Sequence, residues 1–237
     1  MTTDPRKHPQ AASVSARAFD AKAVTRSYDS FQHLYAAWYL AEDAAQRERD
    51  LRSEAFAFDL RHRGYVLSAI TESVAFLEGT INEIYADSAD GRGAYIDQLP
   101  VQFRSRVAEV WGVVGDRLPI LDKYSVAISM ADREGFDKGA NPYQDASRLI
   151  ALRNYVVHTK PREGVSGEPH RFEKSLRGRF PDNALTQNLT SPWFPDHAFG
   201  AGCAQWAWRS ARAFVDEFSN RVGLLPLYKV AGNPLPA

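Results

Sequence analysis

With 237 residues, 44% of them hydrophobic and 24% charged, the chain is long enough to bury a core and too apolar for a wholly disordered polypeptide or a fibre. Its 29 Lys and Arg balance 29 Asp and Glu, which excludes a strongly basic protein that coats polyanions; a nucleic-acid contact has to come from a local patch. The single cysteine, Cys203, excludes an internal disulfide framework and a cysteine-based zinc site.

The first residues carry Asp4, Arg6, Lys7 and His8 with no apolar stretch behind them, so no targeting signal is expected. No window approaches the roughly 18 uninterrupted apolar residues of a membrane span. A cytoplasmic protein without a membrane partner is the expectation.

From about Ala16 to Ala45, Phe31, Leu34, Tyr35, Trp38 and Ala41 recur at helix spacing. Between Ala45 and Arg63 the sequence turns charged, with Glu48 and Arg52, then Asp59 and Arg63, spaced i,i+4 in the favourable order. This reads as a solvated helical arm, so residues 1–60 are expected to form an N-terminal helical extension. Tyr65 to Ala86 is the strongest amphipathic helix, with Val66, Ile70, Val74, Leu77, Ile81 and Ile84 on one stripe. A second face of small residues, Ser68, Ala75, Gly79 and Ala86, is flanked by Glu78 and Asn82.

Two shorter helices are expected near Val101–Val114 and Ile120–Ala131. In the next one, Asn141 reads as N-cap, Pro142 as the first helical residue and Gln144 as completing a capping box. Pro161 stops the chain from continuing it. The segment from Pro161 to Pro195, about 35 residues with one short helix near Phe172–Arg177, is too long for an ordinary connection. A last helix is expected from near Asp196 to Gly223, with Ala207, Ala211, Phe214, Val215, Phe218 and Val222 inward and Gly223 at C′. No segment alternates at period two. The fold class is therefore all-α: a helical body over residues 61–223 that includes the excursion 161–195, and a tail over 224–237.

The Asn141 helix ends in Ala151-Leu-Arg153-Asn154-Tyr-Val-Val-His158. At 100° per residue, Leu149, Ile150, Leu152, Val156 and Val157 share one arc, and Arg153 falls inside it. A guanidinium there must reach an edge or meet an acid, because a lone buried charge is costly. Ser147, Ala151, Asn154 and His158 line the opposite side, a face of small residues ending in an amide and an imidazole. Such a face admits the close approach of another backbone, from within the chain or from a second copy.

An Arg, a polar residue directly after it, and a His with four residues between it and the Arg, late in a helix, resemble the signature of the HEPN superfamily. The segment Ala75-Phe-Leu-Glu78-Gly-Thr-Ile-Asn82-Glu83 is similar to the earlier helix of several HEPN families. Trp193-Phe-Pro-Asp196 and the long helix after it resemble the end of such domains. The resemblance covers about Tyr65 to Val222 and leaves the extension and the excursion unexplained. It implies an antiparallel helical bundle that forms a homodimer and acts as a metal-independent endoribonuclease, with no cofactor and no metal site. Carried over, Arg153, His158 and the adjacent polar Asn154 are the catalytic set, with Glu78 and Asn82 supporting. A toxin or phage-defence role, with a protein regulator or antitoxin as partner, is the context it implies.

The chemistry is consistent with these roles. Attack of the RNA 2′-hydroxyl on the neighbouring phosphorus needs proton transfer, which imidazole provides near neutral pH. It also needs a stabilised phosphate, which a guanidinium fork provides. Local charge after the motif favours an RNA partner: Lys160, Arg162, Arg171, Lys174, Arg177 and Arg179 stand against Glu163, Glu168 and Glu173. Of these, Lys160, Arg162, Arg171 and Lys174 are the candidate RNA contacts.

Blander readings stand beside each of these. Arg153 fits a structural ion pair with Glu72, Glu78 or Glu83, with Glu78 the first choice, and His158 fits a capping histidine. The basic segment fits a solvated loop. The whole domain fits a non-catalytic HEPN-like module that binds a nucleotide, RNA or a protein. His8, His33, His62, His170 and His197 show no metal-ligand spacing, and no phosphate-binding glycine loop is present.

Overall fold

A computed structural model describes residues 26–52, 58–158, 169–187 and 189–230. Among them the chain forms eight α-helices and no strand: α1 (Ser30–Leu51), α2 (Leu60–Asp90), α3 (Val101–Val114), α4 (Ile120–Met130), α5 (Tyr143–Val157), α6 (Arg171–Leu176), α7 (Ala201–Val222) and α8 (Leu227–Val230). No helix among these residues is long and apolar enough to cross a membrane.

The centre of the bundle is α2, which packs against α1, α3, α4, α5 and α7. Its expected stripe, from Val66 to Ile84, is fully buried. The inward row of α7, from Ala207 to Phe218, is buried with it, and Gly223 ends that helix in the left-handed region at φ 75°. Burial of these two stripes against each other and against α1 is the main apolar contribution to the fold. Tyr124 of α4 is wedged edge-on between Phe214 and Phe218, and its hydroxyl donates to the Leu77 carbonyl.

Residues 30–51 belong to the core bundle and are not an extension ahead of it. Leu34, Ala37, Ala41, Ala44 and Leu51 are core residues, and α1 lies antiparallel along α2, with Ser30 beside Glu83 and Glu48 beside His62. Among the described residues, α1 packs directly on α2 and α7. The charged segment misled because its charges pair across helices. Glu48 Oε1 accepts from His62 Nε2 at 2.9 Å and from the Ala201 amide at 2.7 Å, and Arg47 pairs with Asp59 at 2.8 Å.

Two helix starts also differ from expectation. In α5 the N-cap position is taken by Pro142, and Asn141 makes no capping bond. Helical backbone begins only at Tyr143, which leaves the Asn141 side chain one residue too far from the first free amides. The Gln144 amide donates to the Ala140 carbonyl instead, and the Gln144 side chain turns to the Lys138 carbonyl. The last helix begins at Ala201 rather than Asp196; Trp193–His197 is a separate turn, broken at Phe194 (φ −107°, ψ 128°).

Candidate active site

The α5 helix presents the two faces that its sequence specifies. Leu149 and Leu152 are buried, whereas Ala151, Asn154 and His158 are exposed and Ser147 is half-buried. Val157, expected inside the apolar arc, is 52% exposed because it sits on the last helical turn, beyond the body it would pack against. The small-residue face of α5 is therefore open, and no other described helix covers it. That of α2 is partly closed: Gly79 lies against Ser30, where a Cβ would meet the serine Cβ at 3.1 Å.

Arg153 points toward α2. Its side chain is 22% exposed, and Nη2 stands 3.6 Å from Glu78 Oε2, whose side chain is 47% exposed. That distance is within ion-pair range and beyond hydrogen-bond length. The guanidinium Nε is buried with no hydrogen-bond partner among the described residues. Of the three glutamates weighed for this role, Glu72 is engaged by His33 at 2.6 Å. Glu83 receives the Asp29 and Ser30 amides at 2.9 Å each. Glu78 is the carboxylate left for Arg153.

His158 is the C-cap residue of α5 (φ −104°, ψ 37°); its backbone N–H donates to the Asn154 carbonyl and its ring is exposed. Asn154 is exposed one turn earlier. His158 lies five positions after Arg153, about 140° around a helix. Within one chain, the guanidinium is directed at α2 and the imidazole at solvent.

Asn82 is one turn beyond Glu78 on α2, and it serves a different group. Its Oδ1 accepts from Lys123 Nζ at 2.7 Å. Lys123 is only 1% exposed, and its ammonium also lies 5.5 Å from the Trp111 ring centroid. Asn82 is thus a partner of a buried lysine on α4 and does not orient Arg153. Lys123 and Trp111 did not figure in the sequence reading. The available signal was a lysine inside the apolar run Ile120–Ala131.

Of the basic residues after the motif, Arg171 and Lys174 are exposed on α6. That helix docks on the end of α5 through Tyr155 and Phe172, ring centroids 5.4 Å apart. Both cations therefore stand on an element adjoining the motif. Arg177 and Arg179 are tied to Glu173 and Asp145. Lys160 and Arg162 lie outside the described residues. Among the described residues no group of three or more His, Cys, Asp or Glu is placed to hold a metal ion.

Compared with protein-family models, with curated proteins and with solved structures, the chain has no match in any of the three. The family resemblance rests on the residues quoted from the sequence.

Proposed function

We propose that the chain is a metal-independent endoribonuclease of HEPN type that acts as a homodimer, with Arg153 and His158 as the catalytic pair. The observation that carries this reading is the open end of α5. An imidazole and an amide stand exposed on a face of small residues, beside a half-buried arginine whose Nε has no hydrogen-bond partner among the described residues. Buried donors are nearly always satisfied, so an unsatisfied guanidinium nitrogen at such a place fits a site that a ligand oxygen completes.

The 2′-oxygen of RNA attacks the adjacent phosphorus, the P–O5′ bond breaks, and the 5′-oxygen leaves with a proton. Proton transfer to or from these oxygens falls to His158, and the negative phosphoryl oxygens fall to Arg153. Since the two side chains diverge on one helix, pairing of two α5 faces supplies what one chain does not, with an Arg and a His from each copy at a shared cleft. Arg171 and Lys174 then contact the flanking backbone.

The test is cleavage of a single-stranded RNA by the purified chain. Cleavage is expected to persist in a chelator, to fail on a DNA strand of the same sequence, and to be lost in Arg153→Ala and His158→Ala while sedimentation still reports a dimer. Loss of cleavage on chelation overturns the metal-independent reading. RNA binding without turnover favours the second reading, a non-catalytic helical module, which the existing Arg153–Glu78 pair supports. A role as toxin or phage-defence effector, opposed by a protein regulator, belongs to the same proposal.

A further inference from the structure

One helical turn beyond the Arg153–Glu78 pair, a cleft of about 320 Å³ opens over the small-residue face of α2. It is lined by Arg26 and Tyr28, on the segment leading into α1, by Trp111 of α3, and by Asn82 and Ala86 of α2. We propose that this cleft is a nucleobase subsite that holds one base of a single-stranded RNA whose phosphate is engaged at Arg153. The identification of the strand as RNA rests on the ribonuclease reading.

The charges in the cleft are already matched to one another. Asp87 holds Arg26 Nε at 2.7 Å and the Tyr28 hydroxyl at 3.0 Å. Glu83 accepts two backbone amides and the Ser30 hydroxyl. An anion entering here would meet two carboxylates, and a cation would compete with Arg26, so the cleft suits an uncharged group.

Two features address such a group. The first is the indole surface of Trp111 that lines the cleft. The second is the Asn82 amide, whose orientation is fixed chemically. An ammonium can only donate, so the oxygen of Asn82 is the atom turned to Lys123 Nζ at 2.7 Å, and the NH2 is the end left to offer. A flat, uncharged ring with hydrogen-bond acceptors along its edge meets both, and an aliphatic ligand would leave the amide unmet. Bases of single-stranded RNA are held in this way, by stacking on an aromatic ring and hydrogen bonding at an edge.

The spacing agrees with a single nucleotide. Glu78 and Asn82 are four residues apart on one stripe of α2, about 6 Å of helical rise. A base in the cleft is then about one helical turn from the Glu78 that pairs with Arg153.

The experiment measures equilibrium binding of adenosine and of cytidine, neither of which carries a phosphate, to the full chain by calorimetry. Trp111→Leu is expected to weaken binding on the order of 5- to 150-fold, the range for loss of one base–aromatic stack. Asn82→Asp retains an acceptor for Lys123 and removes the NH2; it is expected to lose roughly 2- to 10-fold in affinity with no fall in melting temperature. The Asn82→Asp variant keeps the test decisive if Trp111→Leu does not fold.

Absence of nucleoside binding, or equal binding by wild type and both folded variants, overturns the subsite. Nucleoside binding that depends on Trp111 and Asn82 in a chain that cleaves no RNA upholds the subsite and removes the ribonuclease reading. Cleavage by a chain whose nucleoside affinity ignores both residues does the reverse.

Discussion

Glu48 of α1 and His62 of α2 meet in the interior, with 2.9 Å between carboxylate and ring nitrogen, and the same carboxylate oxygen receives the first amide of α7. One side chain therefore ties three helices together at one end of the bundle. His62 is 2% exposed and Glu48 13%. Glu48→Ala leaves a buried imidazole and a helix-start amide without their acceptor, and it is expected to cost about 2–3 kcal/mol. Urea unfolding measures this; a change within roughly 0.5 kcal/mol, the range of ordinary surface substitutions, would show that the pair contributes little.

His158 and Asn154 are exposed, so replacing either with Ala is expected to alter unfolding free energy by no more than about 0.5 kcal/mol. On the ribonuclease reading, His158→Ala nevertheless lowers the cleavage rate by roughly 10²- to 10⁴-fold, the usual contribution of a general acid or base. Parallel denaturation and cleavage assays separate the two effects, and a variant that unfolds without a specific loss of rate assigns His158 to structure.

Two carboxylates give opposite pH signatures. Burial raises the Glu83 pKa above 4.5, against the hydrogen bonds from Ser30 and Asp29 that lower it. Its contribution to stability is full below the unfolded value and is lost as pH rises through the folded one. The hydrogen bond from Arg47 lowers the Asp59 pKa below 3.8. That contribution is present above the unfolded value and is lost as pH falls through the folded one. From about pH 3 to pH 7, the stability deficit of Glu83→Gln relative to wild type should shrink, and that of Asp59→Asn should grow. Denaturation at several pH values reads both slopes, and slopes of equal sign contradict the assignment.

Burial pushes the Cys203 thiol far up, and Arg63 offsets this only in part. As the thiolate is the reactive form, the native protein at about pH 8 is expected to leave an aromatic disulfide reagent unreduced and to release one equivalent of thiolate on unfolding. Rapid labelling of the folded chain would place Cys203 in a more open setting than its complete burial describes.

Gly200 precedes α7 where that helix meets the loop of Asn183; an added Cβ would stand 2.5 Å from the Asn183 Cα. Asn183 is itself fixed by bonds from its amide to the Asp196 and Phe199 carbonyls, at 3.2 and 3.3 Å. Gly200→Ala is expected to cost about 1–3 kcal/mol through overpacking, measured as a drop in melting temperature. An unchanged melting temperature would mean that the corner can open.

The sequence by itself determined which segments become helices and which faces turn inward. The apolar rows of α2 and α7 repeat every three or four residues, and that period alone selects helix over strand. Gly223 as the end of α7 was legible for an equally local reason, since glycine adopts positive φ at no steric cost. The two faces of α5 followed from helical spacing, and Glu78 stood first among three glutamates weighed as the acid for Arg153. Only the tertiary structure decided what those faces meet. The chain from Ala45 to Arg63 looked solvated because pattern counts charges one helix at a time, whereas Glu48, His62, Arg47 and Asp59 are matched between neighbouring elements. Asn82 looked like a companion of the motif, yet its oxygen belongs to Lys123, forty-one positions further along the chain. Side-chain period is a property of one segment, and so it is written in the sequence. The choice of partner depends on distances across the bundle, which exist only once the core has closed.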